Sequence, residues 1–109
     1  MIGDAIGRLR HRLTIQQSVR AVDEGGGATL TWSDLADVWA EVTAQSGREI
    51  VSGDAPTARR FYRVLMRYRA DVDPTMRLIW NERVFEILSV RDEDGTQHWL
   101  TCDCEERGP

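Results

Sequence analysis

The stretch RRFYRVLMRYR at 59–69 decides how the chain folds. Read as an extended segment, it places Tyr62, Val64, Met66 and Tyr68 on one side, and Arg63, Arg67 and Arg69 on the other together with Phe61 and Leu65. Alternation of this kind, rich in aromatic and β-branched residues, belongs to a strand with one face on a core and one toward water. Toward the C-terminus, Asp71-Val72-Asp73-Pro74 reads as a turn, 76–80 as a strand, Asn81-Glu82 as a two-residue hairpin turn and 83–90 as a strand. Asp92-Glu93-Asp94-Gly95 then closes another hairpin into 98–104.

Toward the N-terminus the same reading continues. Residues 45–58, QSGREIVSGDAPTA, hold two Gly, one Pro and no sustained period, so a long loop is expected there. Before it, Val38, Ala40 and Val42 share one face of a strand, preceded by a connector at 33–37 with one helical turn capped by Ser33. Leu30 and Trp32 share a face of a strand at 28–32, and Asp23 to Gly27 makes a flexible turn back to a strand in which Leu13 and Ile15 alternate with Arg12, Thr14 and Gln16. The expectation is all-β: a small, mostly antiparallel β-barrel of about seven strands, with a long loop inserted between strands three and four. A chain of 109 residues makes this one domain, 1–109.

Composition excludes several classes. With 41% hydrophobic residues and four Trp the chain can build a core, and with 29% charged residues it has no apolar run near the ~20 residues of a membrane span. The opening MIGDAIGRLRHR has no apolar region of the signal-peptide kind, so a soluble protein beginning in the cytoplasm is expected. Charge falls in blocks. Residues 1–20 sum to +3, 21–58 to −6, 59–91 to +4 and 92–109 to −5, and every basic side chain is Arg. Alternating blocks suit side-by-side contact with copies or partners, and Arg suits bidentate interface pairs. Arg8, Arg10, Arg12, Arg63, Arg67 and Arg69, with Asp92, Glu93 and Asp94, are the candidate contact residues.

Converging catalytic groups are few. His98, Cys102 and Cys104 share one parity of the last strand, but C-x-C is too short for a structural zinc motif, so no metal and no cofactor is expected. The cysteines read as small buried residues beside Leu100. The acidic pairs at 71–73 and 92–94 sit at hairpin tips, where Asp serves turn geometry, and Gly25-Gly26-Gly27 lacks the Lys and helix of a phosphate loop. No catalytic set emerges. A nucleic-acid-binding barrel is the bottom-up alternative, with Arg59, Arg60, Arg63, Arg67 and Arg69 interleaved with Phe61, Tyr62 and Tyr68. Parity opposes it, since Arg63, Arg67 and Arg69 lie across the strand from both tyrosines, and so does the net charge of −4.

The succession GRLRHRLTIQ (7–16), a Gly-rich turn, LTWSDLADVWAEV (30–42), SGRE (46–49), RVLMRYRADVDPTMRLIW (63–80) and RVFEILSV (83–90) resembles the head-tail joining, or head-completion and stopper, family of long-tailed phages and gene transfer agents. The resemblance implies a structural protein and no enzyme. It implies a ring of copies in the neck of the particle, six-fold with twelve-fold as the alternative, between the portal-adaptor ring and the tail terminator or tail tube. Such a ring retains packaged double-stranded DNA in its channel and docks the tail, without a membrane. Assembly would begin in the host cytoplasm and end in the virion neck. The loop at 45–58 would face the channel, with Ser46, Gly47, Arg48, Glu49, Ile50, Val51, Gly53 and Asp54 as its working residues.

Overall fold

The computed structural model describes residues 9–45, 48–52 and 55–107, with 48–52 and 55–58 described as backbone only. Strands are β1 (His11–Val22), β2 (Ala28–Ala44), β3 (Arg48–Ser52), β4 (Ala55–Arg67), β5 (Arg77–Trp80), β6 (Arg83–Asp92) and β7 (Trp99–Arg107). Six of them run in the order β2-β1-β5-β6-β7-β4, and β4 pairs back onto β2, so the sheet closes on itself. Every pairing is antiparallel. Closure gives each of these strands a neighbour on both sides over part of its length, which removes edges that would otherwise invite other strands. The all-β expectation holds, and no helix occurs among the described residues.

The core follows from strand parity. Leu13 and Ile15, Ala40, Val64 and Met66, Leu78, Phe85 and Ile87, and Leu100, Cys102 and Cys104 point inward and are buried. The tyrosines of the deciding stretch take the inward side as expected, Tyr62 and Tyr68 packing against this core from its two ends. One end is stoppered by Val72 and Met76 from the connection between β4 and β5. At the other, Arg83 lies over the rings of Tyr62, Trp80 and Phe85 at 5.4, 5.0 and 5.2 Å. Its Nε and Nη2 donate to the Glu106 carboxylate at 2.8 and 2.9 Å, and Nη2 also donates to the Tyr62 hydroxyl at 2.9 Å. The interior is therefore filled with side chains.

Two expectations fail in instructive ways. Residues 33–37 form no connector or helical turn, because β2 runs straight through them. Ile15 pairs with Ala36 and Gln16 with Asp34, so Leu35 is an extra residue, a β-bulge that lets the ladder continue. The turn-forming aspartates are spent across the strand instead: Thr14 Oγ1 donates to Asp37 at 2.7 Å and Gln16 Nε2 to Asp34 at 2.8 Å. Residues 45–58 are likewise no plain loop, because β3 pairs with the first part of β4 from Arg48↔Arg59 to Ser52↔Ala55. The two strands expected at 28–32 and 38–43 are thus one, and a strand appears where a loop was expected.

The β5–β6 connection is the expected two-residue turn, with φ of 50° at Asn81 and 65° at Glu82. Two positive φ values in succession define the type I′ hairpin, whose second position is best filled by Gly. Glu there carries the left-handed penalty. Glu82→Gly is expected to stabilise the fold by about 1 kcal/mol, raising Tm by roughly 4–8 °C in thermal unfolding followed by circular dichroism.

The Arg83 hydrogen bonds hold Glu106 below the ordinary carboxylate range. Its contribution to stability is therefore complete above the unfolded value near ~4.3 and is lost as pH falls through the depressed folded value. With the Arg83 side chain 36% exposed, solvent screening limits that contribution to about 1 kcal/mol. In urea titrations Glu106→Gln should be less stable than the parent at pH 7, and the gap should close as pH drops below 4.

Candidate functional site

The register places two arms at opposite ends of the closed sheet. β5 pairs with β1 only over Thr14–Gln16, and β4 pairs with β2 only over Ala40–Ala44, so residues 17–22 and 28–34 continue as a two-stranded ribbon whose outer edges have no strand partner among the described residues. Its tip is tied by Asp23, whose Oδ1 accepts from the Gly25 and Gly27 amides at 3.0 and 2.8 Å while Gly26 takes a φ of 85°. The tip expected to be flexible is thus ordered by one carboxylate. On the ribbon Val22 is 78% exposed and Leu30 66%. Trp32 is half-buried under the Arg77 guanidinium, 4.2 Å from the ring centroid, and Arg77 Nε donates to Gln16 Oε1 at 2.8 Å.

β2 runs from this first arm through the wall to the root of the second. There Gln45 N donates to the Phe61 carbonyl at 2.8 Å, and beyond Arg60 strand β4 leaves the wall to pair with β3 alone. Of the residues assigned to the channel loop, Arg48, Glu49, Ile50 and Val51 lie in β3, whereas Ser46, Gly47, Gly53 and Asp54 lie outside the described residues. The root is clamped by Arg59, whose Nε and Nη2 donate to Glu105 at 2.7 and 2.6 Å. These bonds raise Arg59 and lower Glu105 relative to their ordinary values.

Between the arms, the charge blocks neutralise one another within the chain. β7 lies between β4 and β6, so its acids meet arginines from both sides. Arg63 approaches Asp103 at 3.5 Å, Arg91 pairs with the same carboxylate, and Ser89 Oγ donates to it at 3.0 Å. Arg107 faces Glu86 at 3.7 Å. Burial raises the Asp103 carboxyl, but the hydrogen bonds from Arg91 and Ser89 and the nearby Arg63 together outweigh it and hold the group below its ordinary value. This pairing takes support from the nucleic-acid alternative, because Arg59, Arg63 and Arg69 of the strand at 59–69 meet carboxylates, Arg67 lies over Trp99, and the tyrosines pack on the core.

The remaining contact candidates are distributed as follows. Arg8 lies outside the described residues, and Arg10 is exposed at the start of the wall. Arg12 stacks over Trp39 at 5.7 Å and approaches Asp37 at 3.7 Å. Arg69 Nη2 donates to Asp71 at 2.9 Å and lowers it, while Arg67 lies over Trp99 at 5.6 Å. Asp92 accepts from the Gly95 and Gln97 amides at 3.1 and 2.8 Å, Asp94 from the Thr96 amide at 3.1 Å, and Glu93 from the Thr101 hydroxyl, so this acidic trio organises its own turn.

Sequence reasoning missed a cleft of about 290 Å³ at the root of the first arm, lined by Leu9, Val38, Trp39, Arg67, Tyr68 and Arg69 together with Asp37. Trp39 is 53% exposed there. Its position opposite the inward-facing Val38 and Ala40 was the available signal, since a Trp of outward parity on a strand asks for a partner.

The groups singled out in the last strand do not converge on one site. His98 precedes β7, is exposed and shares a 2.8 Å hydrogen bond between Nδ1 and Thr96 Oγ1, whereas Cys102 and Cys104 point into the core. Among the described residues no group of three or more His, Cys, Asp or Glu is placed to hold a metal ion. Burial pushes the Cys102 thiol up to about 12 and raises Cys104 as well.

Comparison with known proteins adds three relatives and a family. The family model described as phage head completion protein matches residues 5–107. Head completion protein gp7 of Enterobacteria phage HK97 is 39% identical over 72 residues, a match spanning 66% of this chain and 64% of that protein, just under two thirds of its length. Among solved structures, a chain in the virion of a native gene transfer agent particle superposes with a TM-score of 0.76 at 32% identity, covering 92% of this chain and 96% of that one. Protein SF1141 from Shigella flexneri 2a, determined in solution, gives 0.70 at 31% identity, with 93% and 95% covered.

Because the thiolate is the reactive form, both cysteines should be inert in the folded chain. Treatment of native protein with a maleimide at pH 7.5 is expected to label neither within an hour, and labelling in denaturant should reach both; rapid labelling of native protein would contradict the burial described.

Proposed function

The chain belongs to the phage head completion protein family, and from that premise we propose that it is a structural neck protein without catalytic chemistry. Copies form a closed ring, six-fold in symmetry, between the portal-adaptor ring and the tail terminator or tail tube of a phage or phage-like particle. The ring retains packaged double-stranded DNA and offers the tail its docking surface. Subunits are made in the host cytoplasm and finish in the neck. The observation that carries this reading is the pair of arms joined by β2 at opposite ends of the closed sheet. A connector needs two separated surfaces on one rigid body, and a continuous strand running between them supplies the rigidity.

The filled interior supports a ring of subunits in preference to a single tube. No duplex fits through a sheet packed with Phe85, Met66 and Leu78, so any channel lies between copies. The β3–β4 hairpin serves as the gate. Residues 45–58 carry Arg48 against Glu49 and Asp54, too little positive charge for retention by phosphate attraction, which scales with the number of phosphates neutralised. The gate is steric. Hairpins converging on an axis obstruct a duplex that one of them could not, and the weakly acidic lining leaves DNA free to pass when they part. Ile50 and Val51 pack neighbouring hairpins together, and Arg48 pairs with an acid on the next copy.

Deleting residues 48–54 is expected to leave the six-stranded sheet folded and the ring assembled, while filled heads lose DNA before tails attach. Arg48→Ala should retain DNA at near parental levels. Packaged DNA measured by nuclease protection in tail-less heads separates the outcomes: retention in the deletion variant, or full leakage from the single substitution, would show that the gate is not steric.

A further inference from the structure

The first arm is so far one of two separated surfaces with no specific contact named for it, and its surface is unusual for a free ribbon. Cross-strand pairing puts Ser18 with Trp32, Arg20 with Leu30 and Val22 with Ala28, so Trp32, Leu30 and Val22 share one face. Leu30 and Val22 are 66% and 78% exposed, and Val19 on the other face is 42% exposed. A two-stranded ribbon whose edges no described strand covers is marginal in water, and apolar side chains at its tip lower its solubility. Such an arm is built to be covered.

A matching recess exists on the same chain. The cleft at the arm's root offers Leu9, Val38, Trp39 and Tyr68 as an apolar floor, with Arg67 and Arg69 beside it. Among the described residues Arg67 stacks on Trp99 and meets no carboxylate, whereas Arg69 is shared with Asp71. The arm's tip carries Asp23 and Glu24 next to Val22. Acid and aliphatic groups at the tip therefore complement base and aromatic groups in the cleft. They cannot meet within one molecule, since Leu30 and Trp39 lie nine residues apart on the same strand, about 30 Å at ~3.3 Å per residue.

We propose that the occupant of the Trp39 cleft is the β1–β2 arm of a second copy of this chain, with Leu30 and Val22 seated on Trp39 and Tyr68 and the Asp23-Glu24 tip facing Arg67. Tip and cleft are different surfaces, so the contact is heterologous. Repeated around an axis, it closes into a ring or runs on as a filament. The inference rests on the ring reading above and specifies which surfaces build the ring. Because the core ladder is untouched, the contact forms by mass action on the adaptor platform and stays weak between free subunits.

Site-directed cross-linking on assembled tail-less heads tests this. The two native cysteines are buried, so Leu30→Cys and Trp39→Cys introduce the reactive pair. A short bismaleimide should convert the double variant into a ladder of multimers of this chain, up to the full ring, and leave each single variant as monomer. Leu30→Asp, at an exposed site, should leave the purified subunit's circular dichroism unchanged and lower its copies per head at least tenfold. A ring visible by electron microscopy without a ladder, or Leu30→Cys captured by a different neck protein, overturns the proposed contact and leaves the ring standing. Absence of any ring of this chain at the neck overturns the ring reading and this inference with it.

Discussion

Five residue pairs, Ala40↔Met66 through Ala44↔Tyr62, close the sheet by joining β2 to β4. Everything else depends on that seam. It turns an open meander into a ring with a filled interior, and it brings the bulged β2 alongside the basic β4. It also fixes the ends: on one side β2 is free to run outward as an arm, and on the other β4 is free to run outward as a hairpin. Residues far apart in sequence pair here, so the seam is a long-range contact whose closure entropy must be offset by core burial. Ala40, Val64 and Met66 supply that burial at the seam itself.

Charge is organised by the same topology. The basic block at 59–91 and the acidic block at 92–109 look, in one dimension, like surfaces waiting for a partner. In three dimensions β7 is inserted between β4 and β6, and Arg59, Arg63, Arg83 and Arg91 spend their charge on Glu105, Asp103 and Glu106. Exposed pairs of this kind contribute little stability individually, but they favour the observed register, because a slip of one residue would move Arg63 from Asp103 to a cysteine.

Legibility in the sequence followed packing. Where a strand has one face on the core, as at Tyr62 to Tyr68 or Leu13 to Ile15, period-two alternation identified both the strand and its inward side. The Asn81-Glu82 turn was readable because two-residue loops admit few conformations. Alternation failed where no core imposes it. β3 pairs only with β4, outside the ring, and its REIVS reads as a loop because nothing sorts its residues into two classes, although the following Gly-Asp pair was a hairpin signal. Leu35 hid the unity of β2 for a different reason: a bulge shifts parity by one, so Leu30 and Trp32 face outward although Val38 and Ala40 face in. The family resemblance was carried by the order of segments and survived these local errors. The cleft at Trp39 had no one-dimensional signature beyond the outward parity of one aromatic residue.

The continuity of β4 from hairpin to wall has a mechanical meaning. From Arg60 toward Arg67 the strand runs in the sheet between β7 and β2, and its hydrogen bonds to both lie across its own axis. A load pushing or pulling the hairpin lengthwise is therefore carried in shear, by the ladders on both flanks at once. The geometry that fails easily, peeling one bond at a time from a free end, is not available along that direction. The Arg59–Glu105 clamp sits where the load enters the sheet, at the first point beyond which bending could turn shear into peeling. A slender two-stranded projection is thus anchored as firmly as the wall from which it grows.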